Sequence, residues 1–176
     1  MKIIFLDIDG VLNSNFWNKQ HQLEISDGTL IDQSKIALLS RIVKGTNAHI
    51  ILHSGWKFWF HKDSYEPTRP ESQRLVHMLS EFQLKISGFT PDFSTEAIQK
   101  TRKFSLIKAK EILSWLEDHP EVKSWVVIDD LDLHNEIINV HQIKTNSETG
   151  LTEADVTKAI QLLNDQPITE KERELP

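Results

Sequence analysis

Lys2-Ile3-Ile4-Phe5-Leu6-Asp7-Ile8-Asp9-Gly10-Val11-Leu12 is the stretch that decides the fold. Lys2–Leu6 is a continuous apolar run with no polar alternation, so both of its faces must be buried. It ends abruptly in acid. The run reads as a buried parallel strand rather than a signal peptide. The same pattern recurs outward along the chain. Ile31–Lys44 carries Ile36, Leu39, Ile42 and Val43 at helical spacing, with Gly45 as its stop. Ala48–Leu52 reads as a second strand. Pro70–Phe82 reads as a helix, with Pro70 in the first turn where its missing N–H costs nothing. Leu84–Ser87 is a short third strand. Ser105–Leu116 is a helix with Ala109, Ile112, Leu113 and Leu116 inward. Ser124–Ile128 is a fourth strand and Val140–Lys144 a fifth. Thr152–Leu163 closes the fold, with Thr152 as N-cap.

Strands separated by helices imply right-handed crossovers and a parallel sheet. The expected fold is α/β: a three-layer Rossmann-like parallel sheet of about five strands with helices on both faces. Gaps between the chemically useful residues are too short for a large cap domain. The domain is expected to span 1–165, followed by a polar tail, 166–176, that frays. The least regular stretches are Asn13–Leu30 and Trp56–Arg69.

The chain has 176 residues, with 20 Lys and Arg against 26 Asp and Glu, a formal net charge of −6. That balance lacks the broad basic footprint of a duplex-binding protein but permits a local basic groove. There is no cysteine, which excludes disulfides and thiolate metal sites. A reducing, cytoplasmic setting is the expectation. No apolar run approaches the roughly 20 residues that cross a bilayer, so no membrane partner is expected.

In an open parallel sheet, ligands bind beyond the carboxyl ends of the strands. The first strand ends in Asp7 and Asp9, the second in Ser54 and the fourth in Asp129-Asp130. The helix from Ser105 starts at the same edge. Its Lys108 lies on one stripe with Ile112 and Leu116, so the lysine points inward at the site end. This set suits phosphoryl transfer. A carboxylate can attack phosphorus and form an aspartyl-phosphate. A carboxylate two residues on can protonate the leaving oxygen and later activate water. Magnesium prefers oxygen ligands, and with the lysine it would neutralise phosphoryl charge. Ser54 can donate a hydrogen bond to a phosphoryl oxygen.

Asp7-Ile8-Asp9-Gly10-Val11-Leu12 resembles the DxDGxL first motif of the haloacid dehalogenase (HAD)-like phosphatases. Ser54 resembles their second motif, Lys108 the third and Asp129-Asp130 the fourth, in order over nearly the whole chain. A closer likeness is to the small, capless HAD domains associated with RNA-repair proteins. It rests on DGVLN, Ser54-Gly55-Trp56-Lys57, Lys108–Leu116, VVIDD and Thr149-Gly150-Leu151-Thr152. The resemblance implies Asp7 as nucleophile and Asp9 as acid/base. It implies Mg2+ held by the Asp7 side chain, the Asp9 carbonyl and one of Asp129 and Asp130. It favours a nucleotide or a nucleic-acid end as the phosphorylated substrate. Position 55 is glycine where the motif has a small hydroxyl residue. Arg102 and Lys103 stay open as alternatives to Lys108.

Each feature has a plainer reading. Asp9-Gly10 would also suit a tight turn, Asp129-Asp130 a solvated strand exit, and Lys108 a solvated helix face. Asp132 reads as a surface or capping residue. His53, His61, His77, His134 and His141 show no ligand spacing, and none is assigned to metal. Trp56–Lys62 mixes aromatic and basic side chains. Trp56 and Lys57 are thus candidates for stacking a base and holding a backbone; the alternative is a short helix sealing the core. Phe16 and Trp17 either line the entrance or pack. Two other functions compete with phosphomonoester hydrolysis. A phospho-receiver module would place its accepting aspartate after the third strand, where nothing acidic stands. A non-catalytic binding domain on the same fold would bind magnesium without turnover.

Overall fold

The structure, a computed structural model, describes residues 1–21, 31–94 and 104–165. The expected tail, 166–176, and the alternative cations Arg102 and Lys103 lie outside the described residues. In chain order the elements are β1 (Lys2–Leu6), α1 (Asn15–His21), α2 (Gln33–Thr46) and β2 (His49–Leu52). A 3-10 turn (Gly55–Trp59), α3 (Pro70–Glu81), β3 (Ile86–Phe89) and α4 (Phe104–Glu117) follow. β4 (Ser124–Asp129), α5 (Glu136–Asn139), β5 (Gln142–Lys144) and α6 (Glu153–Asp165) complete the set.

The strands form one five-stranded sheet in the order β3-β2-β1-β4-β5, and every pairing is parallel. The order reverses beside β1, where β2 lies on one side and β4 on the other. That reversal opens a crevice at the carboxyl edge. A phospho-receiver has strand order 2-1-3-4-5, so this topology removes that alternative.

Period-two alternation explains the unbroken apolar runs. Ile4 and Leu6 pack into one core, Ile3 and Phe5 into the other, and β4 does the same with Val126 and Ile128 against Trp125 and Val127. One face is covered by α2, α3 and α6 through Ile36, Leu39, Leu75, Val156 and Ala159. The other is covered by α4 and α5 through Ala109, Ile112, Trp115 and Ile138. Each of the larger of these side chains contributes about 1.5–3 kcal/mol by leaving water. Phe5 meets Trp115 edge-on at 5.3 Å.

Some boundaries move for identifiable reasons. Helix α2 runs through Gly45 and stops at Asn47, whose φ of 56° is left-handed and whose N–H donates to Val43 O. Gly45 instead gives room to α6, since a Cβ there would stand 3.3 Å from Ile160 Cδ1. Thr152 does cap α6: Asp155 N–H donates to its Oγ1 (3.4 Å), and Asp155 Oδ2 accepts from Thr152 N–H (2.9 Å). Strand β3 lies two residues later than expected. On α4 the fully buried face is Ala109, Glu111, Ile112 and Trp115, while Leu113 and Leu116 are half-buried. Helices α1 and α5 fall in stretches without helical periodicity. Asn135 supports α5 by accepting from the Ile137 and Ile138 N–H groups.

Candidate active site

The sheet register sets the site. Leu6 lies level with Leu52 in β2 and with Ile128 in β4. The ladder continues one step further, His53 N–H donating to Leu6 O (2.9 Å) and Asp7 N–H to Ile128 O (3.0 Å). Asp7, His53 and Asp129 therefore leave the sheet side by side. Helix α4 starts at that edge and lowers Lys108 between the acids. Its Nζ donates to Asp7 Oδ2 (2.8 Å) and to Asp129 Oδ2 (2.7 Å). His53 Nε2 lies 2.8 Å from Asp129 Oδ2. A carboxylate only accepts, so Nε2 carries the proton. Asp129 Oδ1 accepts from Leu131 N–H. Asp129 is fully buried and held by three hydrogen bonds.

The loop after β1 is held just as closely. Asp9 is exposed, but its carboxylate is fixed: Oδ1 accepts from Asn13 Nδ2 (2.8 Å) and Oδ2 from Trp56 Nε1 (3.1 Å). Asn13 also receives the Gly10 N–H on its Oδ1 (3.0 Å). Gly10 has φ of +73°, and any Cβ would collide with the Asp130 carboxylate. Thr145 Oγ1 donates to Gly10 O (2.9 Å), and Leu151 N–H donates to Val11 O (2.9 Å). Gly150, at φ +67°, lets its own backbone approach Val11 O. The Asp9–Asn13 loop is clasped between the 3-10 turn and the β5–α6 connection.

Oxygens of Asp7, Asp129 and Asp130 lie within 4.8 Å of one another. Burial pushes the Asp7 carboxyl up, Lys108 opposes this, Asp129 adds to it, and the net shift is upward. Burial, then Asp129 and Asp7, raise Asp130 to about 6. Burial also works against ionisation of Asp129, but the His53 hydrogen bond and Lys108 outweigh it and hold that carboxyl at about 2. Burial would lower Lys108, yet Asp7 and Asp129 prevail and raise it. Three acids thus face one ammonium, and two of them resist ionisation. An all-oxygen donor set with surplus negative charge fits a hard divalent cation. The Asp9 side chain is turned to Asn13 and Trp56 and is not part of that group.

These residues border a cavity of about 420 Å³, lined by Asp7, Asp9, Ser54, Lys108 and Asp130 among others. Ser54 is 1% exposed, and its Oγ accepts from Trp56 N–H (3.4 Å), capping the 3-10 turn. Trp56 is buried and packs against Trp59 at a tilt of 46°, ring centroids 4.6 Å apart. Lys57 lines the cavity, but its ammonium donates to Thr90 Oγ1 (3.3 Å), Pro91 O (2.7 Å) and Glu111 Oε2 (2.7 Å). Phe16 stands exposed on α1, and Asp132 is an exposed partner of His134 and Lys144. Sequence reasoning missed His53 as the Asp129 partner and Glu111 as the Lys57 partner. A signal existed for Glu111, which lies three residues after Lys108 and so shares its inward face.

The carboxylates gathered where a 3-2-1-4-5 sheet reverses, with a helix lysine between them, define the class: a hydrolase domain of the HAD type. The match is closer than class. Residues 3–156 fit the model of the HAD domain in Swiss Army Knife RNA repair proteins, and the chain belongs to that family. No curated protein and no solved structure matches it. Among the described residues, no helix is long and apolar enough to cross a membrane.

Proposed function

We propose that this chain is a magnesium-dependent phosphomonoester hydrolase that works through an aspartyl-phosphate on Asp7. The observation that carries the reading is the Asp7–Lys108–Asp129 cluster at the sheet's reversal point, with contacts of 2.8 and 2.7 Å. Asp7 sits at the cavity floor with an ammonium beside it, where an anionic phosphoryl group needs positive charge.

Asp7, Asp129 and Asp130 would hold the cation, with the Asp9 carbonyl as a further ligand by family resemblance. Bound there, magnesium would neutralise phosphoryl charge and orient the ester. The chain's own residues do the rest. A carboxylate oxygen of Asp7 bonds to phosphorus as the bond from phosphorus to the leaving oxygen breaks. Asp9 gives its proton to that oxygen. Asp9, now a carboxylate, takes a proton from water as the water oxygen attacks phosphorus. The Asp7–phosphorus bond breaks, inorganic phosphate leaves, and both aspartates return to their starting forms. Lys108 stabilises the phosphoryl oxygens throughout, and Ser54 donates to one of them once its hydroxyl is turned to the cavity. Trp56 and Asn13 position Asp9. The absence of a cap among the described residues suits an open site, and the family favours a nucleotide or nucleic-acid end as substrate.

Turnover of a generic aryl phosphate tests the proposal. Phosphate release should require magnesium, stop on chelation and vanish in Asp7→Asn. Magnesium binding without turnover of any ester would instead support the non-catalytic alternative.

A further inference from the structure

A second cavity of about 410 Å³ adjoins the first, inside the roughly 300–1,000 Å³ range of small-molecule sites. Lys57, Phe58 and Asp92 line both cavities, so the two share a wall. The rest of the second cavity is aromatic, with Tyr65, Phe89 and Trp115, while Lys62 and Asp118 supply polar groups. Phe58 is 53% exposed and Tyr65 44%, an unusual display of rings beside a phosphate site.

Tyr65 is held there against local preference. Its φ is +58°, a region that bulky side chains avoid. The turn is pinned by Tyr65 N–H donating to His61 O (2.9 Å) and by the bridge between Phe60 and Pro67. The Tyr65 ring meets Phe89 edge-on at 5.0 Å and 82°. Such strain persists where the surrounding structure fixes it, and it clusters at ligand sites. The shared wall is rigid as well. Lys57 is tied to Thr90, Pro91 and Glu111 and lies 5.6 Å over the Phe58 ring.

We propose that this cavity is a nucleobase subsite: the group leaving from phosphorus is a nucleoside, whose base stacks here while its phosphate meets Asp7. The inference rests on the phosphatase reading above and adds the leaving group to it. A flat ring with a polar edge matches the lining. The rings of Phe58 and Tyr65 offer stacking faces, while Lys62 donates and Asp92 and Asp118 accept at the edge. A bare ribose would leave most of this aromatic lining uncovered. A phosphotyrosine side chain would leave the polar groups unused.

The test compares a nucleoside monophosphate with ribose 5-phosphate on the intact protein with magnesium. The ratio of kcat/KM values should favour the nucleotide by about tenfold or more, a typical yield of one stacked base. In Phe58→Ala and Tyr65→Ala that ratio falls toward one. A wild-type ratio near one overturns the proposal, as does a ratio unchanged in both variants or phosphotyrosine turned over as well as the nucleotide. A phosphorylated oligonucleotide preferred over the mononucleotide assigns the base to a strand end; a preferred mononucleotide assigns it to free nucleotides. If neither ester is hydrolysed, calorimetry still reads the cavity, and the phosphatase reading fails only if the aryl phosphate is not hydrolysed either. Tighter binding of the nucleotide than of ribose 5-phosphate keeps the subsite, and equal binding removes it.

Discussion

Both oxygens of Asp9 are engaged, one by the Asn13 amide and one by the Trp56 indole. A proton donor that serves a leaving oxygen must be aimed, and these two contacts aim it. Trp56→Phe removes the indole N–H and keeps most of the ring. Steady-state kinetics should then show kcat about tenfold lower with KM little changed, the cost of one positioning hydrogen bond. A rise in KM alone would place Trp56 in binding instead. Gly10 is a second such residue. Gly10→Ala introduces a Cβ against the Asp130 carboxylate at a positive φ. Thermal unfolding should show a lower midpoint and a smaller magnesium-induced rise, because Asp130 is displaced. At this scale the sequence was partly legible. Asp7, Asp9, Ser54, Lys108 and Asp129-Asp130 could be placed at one edge by strand ends and helix phase. The partners His53, Asn13 and Glu111 were not assigned, because a side chain that acts through another leaves no periodic signal.

At the scale of elements, the Lys57–Glu111 pair joins the 3-10 turn to α4. Its side chains are only 8% and 5% exposed. Glu111 Oε1 also accepts from Phe93 N–H (3.0 Å), which brings in the segment after β3. Three segments that line the cavity therefore depend on one buried pair. Lys57→Ala strands the carboxylate and should destabilise the protein by about 3–5 kcal/mol in denaturant titration. The double replacement Lys57→Met with Glu111→Leu should recover much of that loss, since an apolar pair needs no desolvation. A double variant as unstable as the single one would refute this. Periodicity announced the long elements because each buries a stripe. The 3-10 turn matches the short core-sealing helix read at Trp56–Lys62, whereas α1 and α5 were illegible because local caps and tertiary contacts hold them, among them the Asn135 side chain.

Across the whole molecule, one crevice gathers acids whose mutual repulsion the metal-free fold must bear. Asp130 is raised from 3.8 to about 6, so its contribution to stability is present below the unfolded value and is lost as pH rises through about 6. Asp7 acts in the same direction. Asp129, held at about 2, contributes above its unfolded value and loses this as pH falls through about 2. Denaturant midpoints of the metal-free protein should therefore decline as pH rises from about 4 to about 6.5. The stabilisation by magnesium should grow over the same interval, because its ligands bind as carboxylates. A metal-free midpoint that climbs across it would contradict the electrostatic account. The central claim, that Asp7 itself carries the phosphoryl group, has a more direct test. Protein turning over an aryl phosphate is quenched with borohydride, which reduces an acyl phosphate to an alcohol, and peptides are mapped by mass spectrometry. Homoserine should appear at position 7 and be absent without substrate. Continued phosphate release with Asp7 unmodified and another carboxylate reduced would contradict it.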